Sequence, residues 1–209
     1  ANWLPQDTMS ANFDNIADEQ ALSPMLLEAY LNAAGDISRM AVGDKNAPAI
    51  DKTYTNQTYV SQHPWDRVEG APYGTRGGMV VNHVFPADGQ YAFEVTFTNG
   101  DNSRFEDVDI SIDGQRVALL QYENGPQIAA DGSGATPLFT EPILIKAGQR
   151  RVAAAFIRRA DGPYEDLIRP HDWSLASNGT ASAGTTAPAH IMELAIIGPS
   201  KVTGMSESA

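Results

Sequence analysis

"MVVNHVFPADGQYAFEVTF", residues 79–97, decides the fold. An apolar run ends at Pro86-Ala87-Asp88-Gly89, where proline and glycine supply turn geometry, and a second run follows at once. In that second run Tyr91, Phe93, Val95 and Phe97 fall at every other position, which puts four large apolar side chains on one face of a strand. Two consecutive strands are therefore predicted, with Thr98-Asn99-Gly100-Asp101 closing the second.

The same grammar repeats downstream. "EDVDISIDGQRVALL", residues 106–120, points Val108, Ile110 and Ile112 inward and leaves Asp107, Asp109, Ser111 and Asp113 as an outward, solvated face. Asp113-Gly114 is a two-residue hairpin signal. "EPILIKAGQRRVAAAFI", residues 141–157, places a turn at Gly148 between two more strands, and "HIMELAIIGP", residues 190–199, reads as the closing strand. Short strands from about Tyr59 onward, with no helices between them and no internal repeat, predict a mainly β chain folded as a jelly-roll β-sandwich.

The N-terminal part differs. "LSPMLLEAYLNAAGDISRMAVGD", residues 22–44, offers Ser23 as N-cap, Pro24 at the first helical position and Gly43-Asp44 as the stop. Leu26, Tyr30, Ala33, Ile37 and Met40 recur at helical spacing, so a helix packed on the sandwich by that stripe is expected. The predicted division is a helical segment over 1–45, a sandwich over 59–200 and a linker over 201–209.

Composition excludes several classes. Fourteen Lys and Arg against 26 Asp and Glu give a net charge of −12, a field that repels polyanions and makes nucleic acid an unfavourable partner. Without cysteine there are no disulfides, thiolate metal sites or Cys nucleophiles. No apolar run approaches the length of about 18 residues that a spanning helix needs, so no membrane insertion is expected, and the opening Ala1-Asn2-Trp3 lacks the pattern of a signal peptide.

Catalytic motifs are sparse. His63, His83, His171 and His190 stand apart, with no H-E-x-x-H, and neither G-x-S-x-G nor S-x-x-K occurs. "DVDISIDG" fails as an EF-hand loop: its glycine, Gly114, is eighth rather than sixth and Ala118 stands where the bidentate Glu belongs. "GAPYGTRGG", residues 70–78, leads into a strand and offers no helix N-terminus to a phosphate. Its glycines read as positions of positive φ or close backbone approach, with Arg76 anchored to a carboxylate; Tyr73 and Arg76 are its ligand candidates. The long connection over 158–190 brings Asp161, Tyr164, Asp166, Arg169 and Trp173 into one loop, where aromatic faces suit sugar C–H groups and carboxylates or Arg suit hydroxyls. Trp65 joins these candidates, and no catalytic residue is assigned.

A resemblance adds to this. The order "VFPADGQYAFEVTF", "VDISIDGQRV", "ILIKAGQRRVAAAF", "IMELAIIGP" resembles the core of carbohydrate-binding jelly-roll modules of the galactose-binding-like superfamily. "LPQDTMSANFDNIADEQALSPMLLEAYLNAA", followed by "GAPYGTRGGMVVNHVFPADGQY", resembles a region of large secreted bacterial proteins of the planctomycete cytochrome type, those with DUF1587 and DUF1592 domains. That likeness implies a fragment of a larger extracellular or periplasmic protein, with a c-type haem domain as a neighbour. The C-x-x-C-H motif is absent, so this chain attaches no haem by it. The likeness to carbohydrate modules implies a polysaccharide partner and a Ca²⁺ ion, for which no ligands are assigned. The expected function is a non-catalytic carbohydrate-binding-like module that delivers a redox protein to polysaccharide. The alternatives are a structural spacer without a ligand and a carbohydrate-active hydrolase built on an acidic pair.

Overall fold

The computed structural model describes residues 24–57, 60–62, 66–98, 106–122, 137–158, 171–172, 185–186 and 189–204. Helix α1 (Pro24–Val42) precedes strands β1 (Lys52–Thr55), β2 (Thr75–Phe85), β3 (Asp88–Thr98), β4 (Glu106–Ile112) and β5 (Gln115–Tyr122). After these come β6 (Leu138–Phe139), β7 (Ile143–Ile145), β8 (Gly148–Ile157), β9 (His171–Asp172), β10 (Thr185–Thr186) and β11 (His190–Gly204).

The strands build an antiparallel jelly-roll sandwich. One sheet runs β1–β11–β3, with β6 and β7 sharing the far edge of β3; the other runs β2–β8–β4–β5. The minor pair β9–β10 is parallel. Tyr91, Phe93, Val95 and Phe97 all face the space between the sheets, where they meet Val108, Ile110 and Phe156 from the opposite layer. Burying such side chains contributes about 1.5–3 kcal/mol each, which is why the alternating pattern dictates which face turns inward.

Connectivity is where the sequence reading is refined. Residues 79–97 do form consecutive strands, but β2 and β3 lie in different sheets, so Pro86-Ala87 is an arch over the end of the sandwich and not a hairpin. Ala147 plays the same part between β7 and β8. Among the described residues Asp113-Gly114 closes a tight hairpin, with φ of 51° and 83° as a primed turn requires. The sheet also exceeds the expected limits of 59–200: β1 pairs with β11 from Lys52 onward, and Lys201, Val202 and Gly204 pair with β3, so 201–204 are strand and not linker.

Helix α1, Pro24–Val42, is followed at once by Gly43, whose φ of 88° favours glycine. Burial within the expected stripe is uneven. Ala33 is buried and Leu26 and Met40 are half-buried, whereas Tyr30 is 37% exposed and Ile37 59% exposed. Its C-terminal end is held by the arches. A Cβ on Gly43 would come within 2.7 Å of Ala147 Cβ and 3.1 Å of Ala87 Cα, and Asp44 N–H donates to Pro86 O at 2.7 Å.

Candidate ligand-binding site

The loop before β2 and the outward face of the β2–β8–β4–β5 sheet form one surface, and its construction starts at Gly77-Gly78. Both have positive φ, 52° and 85°, and the β2–β8 register slips between Arg76 and Met79. A Cβ on Gly78 would stand 2.0 Å from Ala154 O, so only glycine lets the two strands approach there. Gln62 locks the irregularity: its Oε1 accepts from Gly78 N–H at 2.9 Å and Ile191 N–H at 3.0 Å, while its Nε2 donates to Ile191 O at 2.9 Å. Asn56 Nδ2 donates to Gly78 O and Ile191 O, both at 3.0 Å. Two amides thus tie the start of β2 to the start of β11, across the two sheets. Nothing in their sequence context distinguished them; only the fold brings them to these backbone groups.

Arg76 enters this knot from the strand. Its guanidinium pairs with Glu106, Nε to Oε1 at 2.9 Å and Nη2 to Oε2, donates to Gln62 O at 3.1 Å and lies 4.3 Å from the centre of the Phe156 ring. Arg76 is buried, and its Nε, Nη1 and Nη2 are all engaged by Glu106, Gln62 O and Ala189 O, so the guanidinium is committed within the fold and its candidacy as a ligand residue is corrected.

Tyr73 has the opposite placement. It is 90% exposed, with the Arg67 guanidinium stacked 4.3 Å from its ring centre. The loop beneath is fixed at several points. Ala71 is buried against Ala153 and Ala155 of β8, Arg67 Nη2 donates to Ala71 O at 2.7 Å, Thr75 Oγ1 donates to Pro72 O at 2.6 Å, and Arg158 N–H donates to Gly74 O at 2.8 Å. A tyrosine ring on so constrained a loop is a preformed stacking surface.

The adjoining face of β4 is not the solvated one expected. Asp109 and Ser111 point away from the core as read, yet they are only 2% and 1% exposed. Arg116 pairs with Asp109 through Nε and Oδ2. Asp113 holds Arg150 at 3.1 Å and accepts Arg151 N–H at 2.9 Å.

The other candidates, Trp65, Asp161, Tyr164, Asp166, Arg169 and Trp173, lie outside the described residues. Of the histidines, His83 faces the sandwich edge with Nδ1 2.9 Å from the Tyr54 hydroxyl. Burial, and then the nearby Lys52 charge, lowers its pKa from 6.5. Among the described residues no three His, Asp or Glu side chains converge as metal ligands. No helix there is long and apolar enough to cross a membrane.

Residues 1–43 match a family of proteins of unknown function, DUF1587, a match that ends at the glycine terminating α1. No curated protein matches the sequence. Among solved structures, the chain is similar to the CBM36-1 domain of a multidomain xylanase from the hindgut metagenome of Trinervitermes trinervoides. That likeness has 14% identity and a TM-score of 0.36 and covers 63% of this chain and 77% of that one. It is also similar to dimeric latent PorU from Porphyromonas gingivalis, with 9% identity and a TM-score of 0.36, over 79% of this chain and 15% of that one. The assignment of the sandwich rests on the two sheets themselves.

Proposed function

We propose that this chain is a non-catalytic carbohydrate-binding-like module, delivering a larger secreted redox protein to polysaccharide in the periplasm or outside the cell. The observation that carries the reading is Tyr73: a residue 90% exposed, on a loop pinned by a buried alanine and three hydrogen bonds, beside a stacked arginine. Folding leaves such a ring in water only at a cost in apolar hydration, and a sugar face is a partner that stacking and hydroxyl hydrogen bonding both suit. The sequence over 161–173, with its own aromatics and carboxylates, supports the same chemistry. The attachment to a redox protein rests on the likeness of the N-terminal region to planctomycete-type cytochromes.

Affinity electrophoresis against xylan, glucomannan, cellulose, pectin and alginate, each with added Ca²⁺ or with EDTA, tests the reading. Retardation by at least one polymer is expected, and loss with EDTA would add calcium to the site. Tyr73→Ala should weaken that binding by about 1 to 3 kcal/mol with the melting temperature unchanged, the behaviour of an interfacial aromatic anchor. Retardation by none of the polymers would favour the spacer. Release of reducing ends would favour the hydrolase.

A further inference from the structure

The outward face of β4 holds two polar atoms that folding leaves unpaired. Asp109 Oδ2 takes Nε of Arg116, but Asp109 Oδ1 and Ser111 Oγ have no hydrogen-bond partner among the described residues, although both side chains are almost fully buried. A desolvated acceptor or hydroxyl without a partner destabilises the folded state, and native proteins carry few of them. Their position gives the pair a context. Cross-strand register sets Asp109 beside Ala155 and Ser111 beside Ala153, and Ala71 of the Tyr73 loop packs on those same alanines. The unpaired oxygens and the Tyr73–Arg67 stack therefore share one face, joined by Ala71, Ala153 and Ala155 with Val68 and Val80 packed beside them.

We propose that Asp109 and Ser111 form a polar subsite for two neighbouring hydroxyls of a neutral glycan, the adjoining sugar ring lying on Tyr73. This rests on the carbohydrate-binding reading and names its ligand class. One hydroxyl donates to Asp109 Oδ1; the next exchanges a hydrogen bond with Ser111 Oγ, which can donate or accept. Arg116, with 54% of its side chain exposed and bound to Asp109 from the solvent side, is the movable wall that swings away to admit the ligand. Charge selects the class. A polyuronate would bring carboxylates against Asp109 on a chain of net charge −12. A metal ion would face the Arg116 guanidinium, and no three His, Asp or Glu side chains converge to hold it among the described residues.

The experiment compares the intact chain with Ser111→Ala, Asp109→Asn and Tyr73→Ala in gels containing neutral glucomannan or arabinoxylan and in gels containing alginate or polygalacturonate, alongside thermal melting. The neutral polymers should retard the intact chain and the polyuronates should not. Ser111→Ala should lower affinity about tenfold, the loss expected for one hydrogen bond to a desolvated group. Its melting temperature should hold or rise, because an unpaired buried hydroxyl has been removed. Asp109→Asn should weaken binding in the same direction. Full retention by both variants while Tyr73→Ala loses it would overturn the subsite and leave the carbohydrate reading standing. Preference for polyuronates would overturn the ligand class. If no polymer retards even the intact chain, the carbohydrate reading fails and the subsite falls with it.

Discussion

Arg76 carries a full charge to a place where almost none of it meets solvent, and Glu106 is what makes that position tolerable. Their side chains are 2% and 8% exposed, and four hydrogen-bond acceptors on three residues surround the guanidinium. A buried pair of this kind adds little net stability over an apolar replacement, but removing one partner strands the other. Glu106→Gln should therefore lower the unfolding free energy by about 3 to 5 kcal/mol in urea titrations, whereas replacing both, with Arg76→Met and Glu106→Leu, should recover most of that loss. If the single substitution proves as mild as the double one, the pair is not the anchor described. The sequence disclosed half of this interaction. An arginine between glycines at a strand entry reads as anchored to a carboxylate, but Glu106 lies 30 residues away and resembles every other glutamate until the fold sets it against β2.

At the scale of elements, β2 shows how glycine spacing becomes geometry. Gly74 and Gly78 have nearly the same φ, 81° and 85°, but no atom stands within 4 Å of a Cβ at Gly74, whereas at Gly78 the β8 backbone is in the way. Gly74→Ala should cost only the conformational strain of about 1 to 2 kcal/mol. Gly78→Ala adds a clash with Ala154 O and should cost more than about 3 kcal/mol; equal melting temperatures for the two variants would remove the close approach from the account. Both glycines look alike in the sequence, which could place the loop but not rank its members. Strands with long alternating runs, β3 and β4, were legible because their core-facing positions recur with period two, and β8, buried continuously from Val152 to Phe156, was legible from its apolar run after the Gly148 turn. β1 and β6 were not: Lys-Thr-Tyr-Thr and Leu-Phe are too short for any period, and their strand state comes from pairing with β11 and β3. Asp109 and Ser111 were placed on the right side of β4 but in the wrong environment, because strand periodicity says which face a side chain takes and nothing about what covers that face.

Across the whole molecule, the sequence conveyed that there would be a sandwich but not how its layers are joined. The arches at Pro86-Ala87 and Ala147 look like hairpin turns until the partners of each strand are known. The two sheets also meet along an open edge, where Tyr54 of β1 lies against His83 of β2, edge-on to Phe85. There the tyrosine hydroxyl and His83 Nδ1 share a hydrogen bond, and burial with the Lys52 charge holds the folded-state pKa of His83 below 6.5. A histidine depressed in the folded state is protonated more readily by the unfolded chain. The contribution to stability is thus full above about pH 6.5 and is lost as pH falls through the lowered folded value. Chemical denaturation at a series of pH values should show that decline, and His83→Gln should flatten this part of the curve. A variant with the same slope as the parent would mean that the acid sensitivity arises among the carboxylates.

The buried glycine at the end of α1 makes the helix a spoke and not a leash. Flexible tethers let two bodies sample each other's orientations, so that binding by one fixes only the other's distance. A helix locked at its root between two arches turns when the sandwich turns. The direction in which the exposed Ile37 projects is therefore set by that root at Gly43.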